Sequence, residues 1–501
     1  MKKVILTIIS VILMSVMLVG CADKTTKLSD VGGDVVATSN GTFAVEKGNY
    51  VYFINGKEAV TSDNEFGDVE KGALVRVNKN DLKNAKGENA NVKIETVIPK
   101  LLLSASYKTG LYIYDNYVYY ATPSDIKDKK GNIQNTQTQF YRFDLEKGKT
   151  DKTHIAVATD NTTEYRFVKN GNTVYLVFVD SVTDSESNTT RKLVVYNADK
   201  REKVYESFEY EEMLMAEDNS STVYLTKYAY DEINKKDFAY QEIYKYVIGE
   251  DKVGDPIISG SPASMGLLQG VTFNLIKNNG EYLIYKQSGI DTSNQSVIYA
   301  ALKNDGTKTT LGGSNTYIDA VFTGETYIKS LEEIYYVDQT EAIGGLVKFN
   351  YTELQQATDM RHGRTLICKD VKGTTLNFVD GDYLYFSNSE GAYFRCDFEG
   401  KNYAQLNASG LLTPTDWYLP RVIKVDEQEF LMGIYSKDIF KSYVYVTDIT
   451  NAGTDEYKEE IEKLAEDTKE NVLALSYTRI AKMTSSDKSA FETEIEDYQA
   501  E

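Results

Sequence analysis

Only two histidines, His154 and His362, occur in 501 residues, and neither stands beside a nucleophile motif. A Ser-His-Asp or Cys-His site needs an imidazole base, so that chemistry has almost nothing to draw on. His154 reads as strand surface and His362 as loop. No Gly-x-Ser-x-Gly occurs, which excludes a hydrolase domain built on a nucleophile elbow. Three cysteines with no Cys-x-x-Cys, and no Asp-x-Asp-x-Asp-Gly loop, argue against structural zinc and against a calcium loop. The 75 acidic residues make some carboxylate pair inevitable in any fold, so a glycosidase pair leaves no signal of its own. The residues therefore point to no catalytic set, no metal and no cofactor.

Basic residues are the next shortage, at 55 Lys and Arg against 75 Asp and Glu, for a net charge of −20. Lys2 and Lys3 are the only charges in residues 1–20, so the remainder carries 53 basic against 75 acidic residues, about −22. Such a surface is repelled by nucleic acid, and by anionic lipid or wall polymer unless a local basic patch intervenes.

Long apolar runs are absent except one, Val4 to Val19, which follows Lys2-Lys3 and ends in Leu18-Val19-Gly20-Cys21. A basic start, an apolar stretch of this length and a small-residue break make a secretory signal. The stretch is short for a span of about 20 residues, which disfavours an uncleaved anchor. The cysteine at the break resembles the bacterial lipobox. That resemblance implies a mature chain starting at Cys21 with lipid on its sulfur, on the extracytoplasmic face of a bacterial cell membrane. Residues 21–31 then read as a lipidated polar tether, and ten such residues reach about 20 Å on average. With Cys21 assigned to lipid, Cys368 and Cys396 remain. Their spacing does not bring them within bonding range by itself, and two buried thiols are favoured over a disulfide.

What the chain has in abundance is an aromatic strand that recurs eight times. Its copies are Tyr50–Phe53, Tyr117–Tyr120, Val174–Val177, Val223–Leu225, Tyr282–Tyr285, Ile334–Val337, Tyr383–Phe386 and Phe430–Met432. Turn residues precede most of them, as in Gly48-Asn49, Asp115-Asn116, Gly171-Asn172 and Asn279-Gly280, where Gly, Asn and Asp tolerate tight-hairpin angles. A second strand follows each, at Leu74–Val77, Phe140–Phe143, Leu193–Tyr196, Ile243–Tyr246, Val297–Ala300, Leu346–Phe349, Tyr393–Cys396 and Tyr443–Val446. Spacings near 50 residues fit one four-stranded blade per unit. Radial repetition of such sheets is a β-propeller. The expected fold is all-β, a propeller of seven or eight blades over residues 32–450, with eight units counted.

The seventh unit, Val379-Asp380-Gly381-Asp382-Tyr383-Leu384-Tyr385-Phe386 through Tyr393-Phe394-Arg395-Cys396-Asp397-Phe398-Glu399-Gly400, carries a resemblance. It is similar to bacterial surface β-propellers of unknown function related to low-density-lipoprotein-receptor-like and TolB-like repeats. The resemblance implies a fold and no activity.

Residues 451–501 read as an acidic helical tail, with Tyr457, Ile461 and Leu464 at helical spacing and packed on the propeller wall. Most of the 39 tyrosines fall on the repeat strands and serve blade packing. The exception is the segment Asp416-Trp417-Tyr418-Leu419-Pro420-Arg421, where the lone tryptophan braces two blades or, with Tyr418 and Arg421, forms a ligand contact. The expected function is a non-enzymatic binding or scaffold module for a protein, peptide or glycan. The alternative is an envelope hydrolase or lyase with its site in the propeller channel, against which the scarcity of histidine weighs. A transporter solute-binding lipoprotein would need alternating strands and helices, and helical patterning occurs only at the end.

Overall fold

The computed structural model describes residues 28–36, 40–54, 57–59, 69–84, 93–104, 110–123, 129–130, 137–159, 164–183, 189–218, 220–229, 240–262, 269–290, 295–314, 316–340, 343–356, 362–409, 419–436 and 441–466. Cys21, Trp417, Tyr418 and the tail beyond residue 466 lie outside them.

Each recurring strand pair is the middle of an antiparallel meander. Blade 3 is the simplest case, with Tyr165–Asn170, Thr173–Thr183, Thr189–Asn197 and Glu202–Glu206 hydrogen-bonded in sequence order. Blade 4 runs Met213–Met215, Thr222–Ala229, Tyr240–Val247 and Ile258–Ser259. Blade 5 runs Gln269–Asn278, Tyr282–Ile290, Gln295–Lys303 and Lys308–Gly313. Blades 6 and 7 repeat the order through Thr326–Ser330 to Arg364–Cys368 and Thr375–Asp380 to Ala404–Gln405. Blade 2 begins with Tyr112–Tyr114, Tyr117–Pro123 and Thr138–Asp144. Its outer position is split between Lys149–Thr150 and Ala156–Ala158, both paired to Thr138–Asp144. The fold is thus an all-β propeller of eight blades, and of the two counts expected, the larger is the one observed.

The strand recognised first in each sequence unit is the second of its blade. Its predecessor is short in several blades, as in Ala44–Lys47 and Met213–Met215, and neither of these holds an aromatic residue. First strands of neighbouring blades touch one another, blade 1 to 2, 4 to 5 and 6 to 7, which places them around the axis. Tight turns join first to second strands at 48–49, 115–116, 171–172, 381–382 and 426–427. Gly48, Asp115, Gly171, Gly381 and Asp426 take positive φ there, the conformation such hairpins need.

The second and third strands are buried on both faces because each sheet is sandwiched between two others. Tyr52, Tyr119, Tyr224, Tyr285, Tyr335 and Tyr385 are all almost fully enclosed. Burying a large apolar side chain contributes about 1.5–3 kcal/mol, so these aromatics are a main source of blade-to-blade cohesion. Third strands end in a recurring corner, where Asn78, Asp144, Asn197 and Asp397 accept backbone N–H bonds from residues two to four further on.

Ring closure joins blades 1 and 8 into one sheet. Blade 8 consists of Arg421–Val425, Gln428–Ser436 and Lys441–Asp448, and its outer edge takes the short strand Lys57–Ala59 at Lys441 and Ser442. Lys57–Ala59 also pairs with Val69–Asn78, the third strand of blade 1. Behind this seam lies one apolar cluster from both blades, including Phe43, Phe53, Val75, Ile423, Phe430 and Val444. The helix Asp455–Glu466 follows blade 8, with Tyr457 and Ile461 packed on Leu406, Val422 and Leu431 and the Tyr457 hydroxyl donating to the Leu406 carbonyl at 2.7 Å.

Candidate functional site

A four-stranded meander sends its connections out at two ends. Turns between first and second strands, and between third and fourth, leave from one end; we call this the turn face. Connections between second and third strands, and those leading to the next blade, leave from the other, the loop face. Six of the first-to-second turns on the turn face have two residues, whereas residues 55–68, 124–137 and 230–239 connect second to third strands on the loop face. The segment holding Trp417 and Tyr418 joins Ala404–Gln405 to Arg421–Val425, so its anchored ends also lie at the loop face.

The N-terminal segment is held at the turn face. Val36 N–H donates to the Glu46 carbonyl and Gly48 N–H to the Asp34 carbonyl, adding Val35–Val36 to the axial edge of Ala44–Lys47. Lys47 is 3 % exposed and donates from Nζ to the Gly33 carbonyl at 2.7 Å. Burial pushes its pKa down, and the carboxylates of Asp115, Asp34 and Asp30 offset part of that cost. Arg76 donates to the Asp30 carbonyl, and Leu28, Val31 and Val35 pack on the cluster between blades 1 and 2. Residues 40–42 then run beside blade 2. Asn40 receives the Ile113 N–H at 2.8 Å and donates to the Ile113 carbonyl at 3.3 Å. Residues 33–36 thus line part of the axis.

Of the expected ligand contacts, Arg421 alone falls on described residues. It opens the first strand of blade 8, at the axis, with its Nε shut off from solvent. Burial pushes its pKa down, and the carboxylates of Asp380 in blade 7 and Glu46 in blade 1 pull the other way. His154 is not on a strand. The backbone leaves the split outer position of blade 2 between Thr150 and Ala156, and the imidazole stands edge-on to Tyr141 at 6.3 Å. His362 lies in the exposed turn before Arg364–Cys368. Among the described residues no group of three or more His, Cys, Asp or Glu is arranged to hold a metal ion.

Sequence reasoning missed a recurring polar set at the corner of the third strand. Arg76, Arg142 and Arg395 each lie opposite a tyrosine of the second strand, namely Tyr52, Tyr119 and Tyr385. Each guanidinium also covers the ring two residues earlier, Tyr50 at 3.9 Å, Tyr117 at 4.4 Å and Tyr383 at 4.6 Å. Carboxylates complete the set. Arg76 pairs with Glu95 at 2.6 Å and Arg142 with Asp151 at 2.8 Å, and Arg395 pairs with Glu429 of the next blade at 2.6 Å. The signal was present as Tyr-x-Tyr followed by Arg-x-Asp or Arg-x-Asn. Its meaning depends on cross-strand register, which places tyrosine and arginine side by side.

No family model matches the chain, and no curated protein matches it. Solved structures do. The β-propeller domain of the trilobed protease from Pyrococcus furiosus aligns at 10% identity with a TM-score of 0.33, over 82% of this chain and 97% of that one. A Pyrococcus horikoshii acylaminoacyl peptidase aligns at 11% identity and 0.32, over 77% of this chain and 59% of that one. A europium-containing methanol dehydrogenase aligns at 7% identity and 0.37, over 83% and 85%. At these identities and scores no activity carries over to this chain.

Proposed function

We propose that this protein is a lipid-anchored extracytoplasmic β-propeller, of the bacterial surface kind its seventh unit resembles, acting as a binding or scaffold module for a protein, peptide or glycan. The single observation that carries the reading is the course of residues 28–36, tied to the turn face by Lys47, Arg76 and the backbone of Glu46 and Gly48. Lipid on Cys21 would hold that face toward the membrane, since the seven residues to Leu28 extend at most roughly 25 Å. The loop face then points away, carrying the long second-to-third-strand connections and the anchored ends of the Trp417 segment. Loops set on a rigid scaffold are where binding residues concentrate. The excess of acidic residues keeps the body off anionic lipid, so attachment rests on the acyl chain.

The test is fractionation of bacteria expressing the full chain or its Cys21→Ala variant. Anchoring predicts that the wild type partitions with the membrane and into detergent, and that the variant does not. Equal partitioning of the two overturns the anchor. Capture of envelope proteins and glycans by the full chain, compared with Trp417→Ala/Arg421→Ala, tests the binding face. Loss of specific capture in the variant supports a contact near blade 8, and unchanged capture removes that contact.

A further inference from the structure

Cys368 and Cys396 meet across the boundary between blades 6 and 7. Cys368 closes the outer strand Arg364–Cys368 of blade 6, opposite Leu346. Cys396 lies in the third strand Tyr393–Asp397 of blade 7, opposite Leu384. Alternation along that strand sends Arg395 toward Glu429 of blade 8 and turns Cys396 back toward blade 6. Both thiols are buried and free, and they belong to one apolar cluster with Leu346, Val371, Leu376 and Phe386.

The backbones approach closely at this place. A Cβ on Gly400, in the corner after Cys396, would fall 2.0 Å from the Ile367 carbonyl oxygen and 3.3 Å from Cys368 Cβ. A Cβ on Gly345, across from Cys368, would fall 2.3 Å from the Cys368 carbonyl oxygen. Glycine at 345 lets the third and outer strands of blade 6 close on each other, and glycine at 400 lets that outer strand come against the corner of blade 7. Each thiol acts on the other: the Cys396 thiol lowers the pKa of Cys368, while the Cys368 thiol and burial raise that of Cys396.

We propose that Cys368 and Cys396 are a latent disulfide that staples blade 6 to blade 7 when a disulfide oxidant reaches them. The Cys368 thiolate attacks a sulfur of the oxidant disulfide and expels one thiolate, leaving a mixed disulfide on Cys368. Cys396, losing its proton, then attacks Cys368 Sγ and expels the second thiolate. Two protons and two electrons leave the pair, and the oxidant is reduced to two thiols. The sulfurs must close to about 2.05 Å, and the chain segments that carry them already abut. Closing this loop constrains the unfolded chain, so the oxidised form resists unfolding more than the reduced one. The inference needs only an oxidant and stands apart from lipid anchoring.

The test uses the full chain carrying Cys21→Ser, so that only this pair reacts, refolded from urea into a buffer of reduced and oxidised glutathione, with a fully reduced control. The expected product is an intramolecular cross-link between the peptides holding Cys368 and Cys396. It should lose two hydrogens from the intact mass, show a higher unfolding midpoint than the control, and be absent from Cys368→Ala and Cys396→Ala. A chain that refolds with both thiols still alkylatable overturns the proposal. So does a chain whose cross-links are only intermolecular, or one in which the cross-link lowers the unfolding midpoint.

Discussion

Tyr119 of blade 2 donates its hydroxyl to Asp199 in the corner of blade 3 at 3.3 Å, and the same carboxylate oxygen receives Arg142 Nη1 at 2.7 Å. Blades 4 and 5 repeat the arrangement with a neutral acceptor. Tyr224 donates to Asn304 at 3.4 Å and Lys245 Nζ to the same oxygen at 3.3 Å. The second-strand tyrosine and the opposed third-strand cation of one blade thus clasp the corner of the next.

Removing the clasp acceptor should loosen one blade boundary. Asp199→Ala leaves the almost buried Tyr119 hydroxyl without its acceptor and is expected to cost about 1–2 kcal/mol. Arg142 keeps Asp151, which limits the loss. Asn304→Ala should cost a similar amount. The two sites share no partner, so the double variant should equal the sum within about 0.5 kcal/mol in urea unfolding. A double variant far worse than the sum would mean that strain passes around the ring.

Arg76 is fully buried and its guanidinium meets Glu95 at 2.6 Å, with Tyr52 at 3.1 Å. Glu95→Leu strands a buried cation and should cost about 3 kcal/mol or more, whereas Arg76→Met/Glu95→Leu together should cost less than Glu95→Leu alone. Denaturant midpoints of the three variants decide it. A double variant as unstable as the sum of the singles would show that Arg76 acts chiefly through Asp30 and Tyr52.

Stability should also depend on pH through Glu333. Its hydrogen bonds to Lys348 and Lys329 hold its pKa down to about 2, below an ordinary value near 4.5. A carboxylate depressed in the folded state stabilises above its unfolded pKa and loses that contribution as pH falls through the folded one. The gap between wild type and Glu333→Gln should therefore be open at neutral pH and narrow between pH 4.5 and about 2. Because the Glu333 side chain is 30 % exposed and its lysine partners also reach solvent, the gap is small and should shrink further in salt. A gap that stays constant down to pH 2 would assign the effect to something other than this charge.

Two glycines separate conformational strain from collision. Gly171 has φ +60 with nothing within 4 Å of an added Cβ, so Gly171→Ala should cost only about 1–2 kcal/mol for the left-handed backbone. Gly400 has φ +74 and would drive its Cβ into the Ile367 carbonyl at 2.0 Å. Gly400→Ala should be clearly the worse of the two in thermal unfolding. Equal shifts would show that the blade 6 and blade 7 boundary yields at little cost.

The sequence by itself determined the repeated unit. Aromatic and β-branched alternation, closed by Gly, Asn and Asp turns, is written within a few residues, and each of the eight recurring pairs became the second and third strands of a blade. The axial strands were harder to see, because segments such as Ala44–Lys47 are short and hold no repeated aromatic. Tertiary structure decided what depends on adding eight sheet twists around a circle. It brought Lys57 to Ser442 to close the ring, and it ran Val35–Val36 along the axial edge of blade 1. It also pressed Cys368 against Cys396, residues whose spacing says nothing of distance. Local periodicity carries hairpin chemistry, whereas contacts between blades follow from the accumulated rotation of all of them, and no short window of residues holds that sum.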